Sequence, residues 1–298
     1  MSRIELPTQP GAYRWYYVDV VAGDFTAVFI FMIGSVFSAR YSAARERGAL
    51  PVAHSAVNFA LYEKGARRCW VLSEYPAARV ERDGDTLRIG ESFFSYDARG
   101  NLSARVVDRS SPWGRPIDAR LEVTVGAASA APIQLIEGAS HFWHPISPRG
   151  RARVTLPQHT LDGHAYHDGN FGSVPLGTDC RGWDWARHHG TSSTSVRYQP
   201  WGDGPGIQLV ARDSSVTVLR EPLELPERTR TGWGLSVPSS LEGSRGLRLL
   251  ESSPFYARLE GETADGGSML GEVADFERFH RPSIRWMARF RTRLGKVA

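Results

Sequence analysis

The chain has 298 residues, 41% of them hydrophobic and 23% charged, which is the balance of a globular protein. That length suits one large β domain or two of ordinary size. A net charge of +4 is too mild to imply nucleic-acid binding, and no zinc-finger spacing, helix-turn-helix or RNA-binding motif accompanies it. The longest apolar run, residues 25–37, falls short of the roughly 20 residues of a membrane-spanning helix, and its Val, Ile and Phe read as a buried strand. The opening MSRIELPTQPG lacks the apolar run of a signal peptide, and Cys69 and Cys180 form no disulfide framework. The expected location is the cytoplasm, with peripheral contact to the inner membrane left open.

From the N-terminus, residues 13–21 and 24–37 read as two long strands joined at Ala22-Gly23-Asp24. Residues 57–62 and 67–73 form a hairpin around Lys64-Gly65. A meander of short strands follows at 78–82, 87–89, 93–96 and 102–107, then two more strands at 118–125 and 151–156. Gly and Pro clusters separate most of them. Beyond residue 187 the same texture returns at 195–199, 207–211, 215–220, 247–252 and 256–262. Paired aromatics head a strand twice, in Arg14-Trp-Tyr-Tyr-Val18 and in Gly182-Trp-Asp-Trp-Ala186. This echo predicts an all-β protein of two antiparallel barrels or sandwiches in tandem, residues 1–178 and 179–298, with one long sandwich as the plainer alternative. A short C-terminal helix is expected over 282–294. Pro282 suits its first turn, Ile284, Met287 and Leu294 share a face, and Trp286 and Phe290 lie beside it. Six positive charges run from Arg281 to Lys296 with no acid after Glu277. The segment is either a helix packed on a barrel or a basic amphipathic helix resting on anionic lipid.

The densest chemistry lies in residues 164–189. Asp168 sits among Tyr166, Phe171, Trp183 and Trp185, with His164, His167, His188, His189 and Asp184 nearby. An apolar surround raises a carboxyl pKa by penalising the charged form. Kept neutral, such an acid can protonate an unactivated double bond, and aromatic faces can stabilise the carbocation that results. Shielding alone would block hydration, so a polar group must hold the water. His167, Asn170 and Asp184 are the candidates. Trp15 and Trp143 are further candidates for the wall of an apolar binding site. The plainer reading is a hairpin with a polar turn, because an aspartate beside glycine and asparagine is most often a turn residue. No metal is expected, since histidines three apart point to opposite faces of a strand. His141 and His144 read as core or pocket lining. Asp19 and Glu74 end aromatic strands and are candidate second carboxylates, with Arg14 a candidate ion-pair partner for one of them. No phosphate-binding glycine loop or GxSxG elbow is present, which argues against nucleotide use and serine hydrolysis.

Six motifs occur in order: Tyr13-Arg-Trp-Tyr-Tyr-Val-Asp19, Ile33-Gly-Ser-Val-Phe-Ser38, His54-Ser-Ala-Val-Asn-Phe-Ala-Leu-Tyr62, Trp70-Val-Leu-Ser-Glu74, Gly163-His-Ala-Tyr-His-Asp-Gly-Asn-Phe-Gly172 and Gly182-Trp-Asp-Trp-Ala-Arg187. Together the chain resembles the carotenoid 1,2-hydratases, also called hydroxyneurosporene synthases, from about Tyr13 to Arg187 and more loosely to its C-terminus. The resemblance implies a lipocalin-like fold and a cofactor-free enzyme. Its reaction would add water across a terminal C=C bond of an acyclic carotenoid of the lycopene or neurosporene type. It implies Asp168 as proton donor, Tyr166 beside it, and Trp183 and Trp185 as the paired tryptophans. The implied partner is an apolar polyene, with no nucleic acid. His167 and Gly169, next to the aspartate, stand at positions that leave the exact substrate open. Lipocalin-like proteins also include cyclases and pericyclases, so a polyene or polyketide cyclase and a non-catalytic lipid or pigment carrier are the alternatives.

Overall fold

The computed structural model describes residues 3–126, 129–202, 204–224, 226–241 and 244–295. Lys296, the last charge of the basic C-terminal stretch, lies outside the described residues. Strands dominate and form two large, curled, mainly antiparallel sheets and a small two-stranded one, the lipocalin-like all-β architecture. The first sheet sets Ala66–Tyr75, Ser55–Glu63, Phe25–Ile33 and Tyr13–Ala22 side by side. It continues through Thr160–Gly172, Phe142–Thr155, Pro116–Thr124 and Leu102–Arg109, and then through three short strands that end at Val80–Asp83. The second orders Ser215–Glu221, Gly206–Arg212, Thr194–Pro200, Gly182–His189, Ser268–Asp275, Tyr256–Thr263 and Ser244–Ser252. The chain passes from one sheet to the other between Gly172 and Gly182, the connection that contains residue 178.

Why residues 25–33 read as an unbroken apolar run is now plain: that strand is buried on both faces. Successive strand residues point to opposite faces. Tyr16, Val18 and Val20 turn into the curl of the first sheet, where Phe29, Phe31, Phe59, Phe94 and Leu121 fill the interior. Trp15 and Tyr17 turn the other way, with Ile30, Met32, Trp70 and Leu72, and meet Trp183, Trp185, Tyr198 and Leu270 of the second sheet. The curl is therefore a side-chain core, and the space between the two sheets is what remains for a ligand. A buried ion pair, Asp19 with Arg187, joins the sheets beside that space.

Two expectations need correction. The strand predicted over 24–37 stops at Ile33. Gly34 follows with φ +71°, where a Cβ would stand 2.7 Å from the Ala12 carbonyl oxygen, so a glycine is required and the chain must turn. It enters a short helix, Ala39–Ala44, capped by Ser38, whose Oγ accepts from the backbone N–H of Arg40 and of Tyr41 at 3.1 Å. Six residues are too few for helical periodicity to show in the sequence. The C-terminal helix spans Pro282–Arg291, not 282–294. Arg293–Leu294 instead pairs in parallel with Ser73 and Glu74 at the edge of the first sheet, with the Gly295 N–H donating to the Glu74 carbonyl at 2.8 Å. Open strand edges offer unpaired backbone groups, and here the chain end covers one. Leu294 is consequently 64% exposed and not part of the apolar helix face, which Ile284 and Ala288 supply. Among the described residues no helix is long and apolar enough to cross a membrane.

Candidate active site

The strand Thr160–Gly172 decides the site. Its alternation puts Tyr166, Asp168 and Asn170 on the face toward the second sheet. Register carries the neighbours in: Tyr17 is paired with Asp168, and Trp15 and Trp143 with Asn170 on either side. Asp168 Oδ2 accepts from the Tyr166 hydroxyl at 2.7 Å and from Trp143 Nε1 at 2.8 Å. Trp143 Nε1 also lies 3.2 Å from the Tyr166 oxygen, so the three groups form one closed cluster. Asn170 Nδ2 stands 3.5 Å from Oδ1. Burial raises the Asp168 carboxyl, the two hydrogen bonds pull it partly back, and the net effect is a pKa pushed up to about 7. A buried aspartic acid that keeps its proton near neutrality is the result.

Rings enclose it. Trp15 stacks on Trp183 at 5.9 Å between centroids, Trp185 packs 5.2 Å from Tyr166 and 5.8 Å from Tyr17, and Trp143 lies 5.5 Å from Tyr198. A small space lies against Asp168, walled by Trp15, Tyr17, Asn170, Trp183, Trp185, Tyr198 and Glu272. A larger one adjoins it and shares Trp15, Tyr17, Trp183 and Glu272. Ile30, Met32, Trp70, Leu72 and Phe255 make most of its far wall apolar.

Asp168, Tyr166, Asn170, Trp15, Trp143, Trp183 and Trp185 are thus brought together. His167 and Phe171 are not. Both belong to the opposite parity of the strand. His167 points into the filled curl, 2.7 Å from the Tyr96 hydroxyl and 2.8 Å from the Tyr17 carbonyl, and burial lowers its pKa to about 4. Phe171 stacks on Phe142 and lies under the Arg14 guanidinium. Neither can touch a ligand at Asp168, so His167 does not hold a water there. Asp184 is also removed: it accepts from Trp201 Nε1 at 2.8 Å and pairs with Arg228 at 3.0 Å in a separate pocket. Of the other acids, Glu74 pairs with His54 at 2.6 Å, Asp19 with Arg187, and Arg14 with Glu5. His141 is core: burial drops it to about 3, and its Nδ1 meets the Tyr13 hydroxyl at 2.5 Å. His164 and His189 rings lie 5.6 Å apart at the other end of the sheets, and among the described residues no group of three His, Cys, Asp or Glu is placed to hold a metal ion.

Sequence reasoning missed Tyr17, Tyr198 and, above all, Glu272. Tyr17 carried a signal in its parity with Trp15. Glu272 carried none, because it reaches the site only through the pairing of Ser268–Asp275 with Gly182–His189.

A family model described as carotenoid hydratase CrtC matches residues 29–295. The acyclic carotenoid 1,2-hydratase of Thiocapsa roseopersicina is 33% identical, over 97% of this chain and 75% of its own length. The enzyme of the same name from Rubrivivax gelatinosus is 32% identical, over 91% and 69%. Among solved structures, kievitone hydratase from Nectria haematococca superposes with a TM-score of 0.51 at 11% identity, covering 91% of this chain and 90% of that one, a likeness of fold.

Proposed function

The chain belongs to the carotenoid hydratase family and is a hydratase, and from that premise we propose that it adds water across the terminal C=C bond of an acyclic carotenoid of the lycopene or neurosporene type. Neutral Asp168 protonates the less substituted alkene carbon, which leaves a tertiary cation on its neighbour. Trp15, Trp183, Trp185 and Tyr17 face that cation with their rings. Water then captures it as a tertiary alcohol. Tyr166 and Trp143 aim the acid and receive its charge, since both donate to the oxygen that becomes anionic. The reading divides the chain into units 1–178 and 179–298, with the reaction where they meet.

The observation that carries this reading is a buried carboxyl, its pKa pushed up to about 7, that faces a space adjoining a largely apolar cavity. The helix Pro282–Arg291 contributes Ala288 and Arg291 to the wall of that cavity and turns Trp286 and Phe290 outward. We take it as the surface that meets the bilayer from which the polyene comes. The test is incubation with lycopene and mass analysis for one added water. Wild type should gain it, and Asp168→Asn, which keeps size but has no proton to give, should lose at least about 10²-fold in rate. Turnover by Asp168→Asn within about tenfold of wild type would rule out the acid role, and no added water with wild type would favour a carrier.

A further inference from the structure

The proposed reaction leaves one proton without a destination. Asp168 gives its own to the alkene, and the water that captures the cation must lose another. Glu272 stands directly opposite Trp185 on one side and Arg258 on the other, so the three form a row across the second sheet. Arg258 is almost fully buried. Its Nε and Nη2 meet Glu272 Oε1 at 3.0 and 2.9 Å, and its Nη1 meets the Tyr62 hydroxyl at 3.0 Å and Glu251 at 3.4 Å. Glu272 walls both the space at Asp168 and the larger apolar cavity, which puts a carboxylate at their junction. Burying a charge in such a place is costly unless it is paired, and a cavity that only held hydrocarbon would have no use for it.

Polar atoms around the same junction point to water. Tyr17 Oη, Trp185 Nε1 and Asn170 Oδ1 belong to residues that wall the space at Asp168, are buried, and have no hydrogen-bond partner among the described residues. A buried water needs two to four polar partners. Here it can accept from the Tyr17 hydroxyl or the Trp185 N–H while it donates to Glu272 and to Asn170 Oδ1. The two carboxyl groups are held in opposite ways: Asp168 by the neutral donors of Tyr166 and Trp143, Glu272 by a guanidinium that is always charged. Acid–base chemistry with two carboxyls needs that asymmetry.

We propose that Glu272 is a second catalytic residue, which holds the attacking water and takes its proton. The proposal rests on Asp168 being the acid. As the water oxygen bonds to the cationic carbon, one of its O–H bonds breaks and the proton passes to the Glu272 carboxylate. The product is the neutral alcohol. The cycle closes when Glu272 returns that proton through solvent to the Asp168 carboxylate, so the sum is alkene plus water to alcohol. Protonated alcohols are strong acids, so the proton passes readily to a carboxylate within reach.

The experiment compares Asp168→Asn, Glu272→Gln and Glu272→Asp with lycopene in D2O. It follows alcohol formation and the deuterium carried by recovered alkene at the protonated carbon. Asp168→Asn should lose both signals. Glu272→Gln should lose hydration about 10²-fold yet still exchange deuterium, because the cation forms and collapses back to alkene. Glu272→Asp, which keeps a retracted carboxylate, should hydrate at an intermediate rate with a higher exchange-to-hydration ratio than wild type, and it serves should Glu272→Gln fail to fold. Hydration by Glu272→Gln within about threefold of wild type would overturn the role of Glu272 alone. So would equal losses of hydration and exchange in both Glu272 variants. Hydration retained in Asp168→Asn would remove the acid itself, and this inference with it.

Discussion

Replacing Asp168 with asparagine should make the protein more stable at high pH while it abolishes turnover. The ordinary aspartate value is 3.8, and Asp168 sits at about 7 because it is buried. The folded state therefore binds this proton more tightly than the unfolded chain. Stability contributed by the group is complete below about pH 4, and it is lost as pH rises from there through about 7. Each pKa unit is worth about 1.4 kcal/mol, so the full loss is about 4 kcal/mol. Some of it has already occurred at pH 5, and about 2–3 kcal/mol remains to be lost between pH 5 and pH 8. Asparagine has no proton to lose, and its Oδ1 can still accept from Tyr166 and Trp143. Urea denaturation of both proteins at pH 5 and pH 8 isolates the effect. The stability difference, variant minus wild type, should grow by about 2–3 kcal/mol at the higher pH. A difference that is the same at both pH values within about 0.5 kcal/mol would refute the argument, because it would mean that Asp168 titrates alike folded and unfolded.

The same acid must be protonated to react, so kcat/KM for hydration should fall about tenfold per pH unit above roughly pH 7, and a pH–rate profile flat to pH 9 would contradict it. Tyr166→Phe or Trp143→Phe removes a donor that favours the charged carboxylate; the descending limb of that profile should move to higher pH, and a downward shift would show that the two donors do not stabilise the charged form. Asp19→Asn should cost about 3–5 kcal/mol in chemical denaturation, because it leaves Arg187 buried without its partner between the sheets; a cost under about 1 kcal/mol would mean that the pair does not join them.

What could be read in the chain follows from which contacts are local. Asp168, Tyr166 and Asn170 share a strand, and period-two alternation alone places them together. The same rule, applied strictly to His167 and Phe171, puts those two on the opposite face, where they are found. Treating residues 164–189 as a cluster obscured that parity. Trp143 joins through the pairing of Phe142–Thr155 with Thr160–Gly172, a neighbouring hairpin whose aromatics are visible in the sequence. Glu272 is more than 100 residues from Asp168 and sits in a strand with no aromatic flag, so only register between distant strands reveals it. The cavity was illegible for a similar reason: composition suggests barrels, but only packing decides that the curl is filled and the space lies between sheets.

How the substrate arrives yields the last prediction. Trp286 and Phe290 are 61% and 74% exposed on the C-terminal helix, with their rings 4.8 Å apart edge to face. Most of this pair's apolar surface, on the outer face of the helix, is left uncovered by the protein itself. The same segment sends Ala288, Arg291 and Thr292 into the cavity wall, which makes the pair the proposed place of entry for a polyene. The charges are fewer than the sequence count implies. Arg291 is engaged by Glu251 at 2.9 Å and lies over Trp70, and Arg293 donates to the Ser110 carbonyl at 3.1 Å. Arg281, Arg285 and Arg289 remain for anionic lipid, at about 1 kcal/mol each, while each aromatic ring adds about 1.5–3 kcal/mol if fully buried in the interface. Hydrophobic insertion should therefore outweigh attraction between charges. Co-sedimentation with liposomes should show binding to neutral vesicles, modestly stronger binding to anionic ones, and only partial loss in high salt. Substituting Ser at both Trp286 and Phe290 should abolish sedimentation and slow hydration of vesicle-embedded lycopene, with little effect on lycopene supplied in detergent. Undiminished vesicle binding by that double variant would take the docking role from this helix and leave the chemistry at Asp168 untouched.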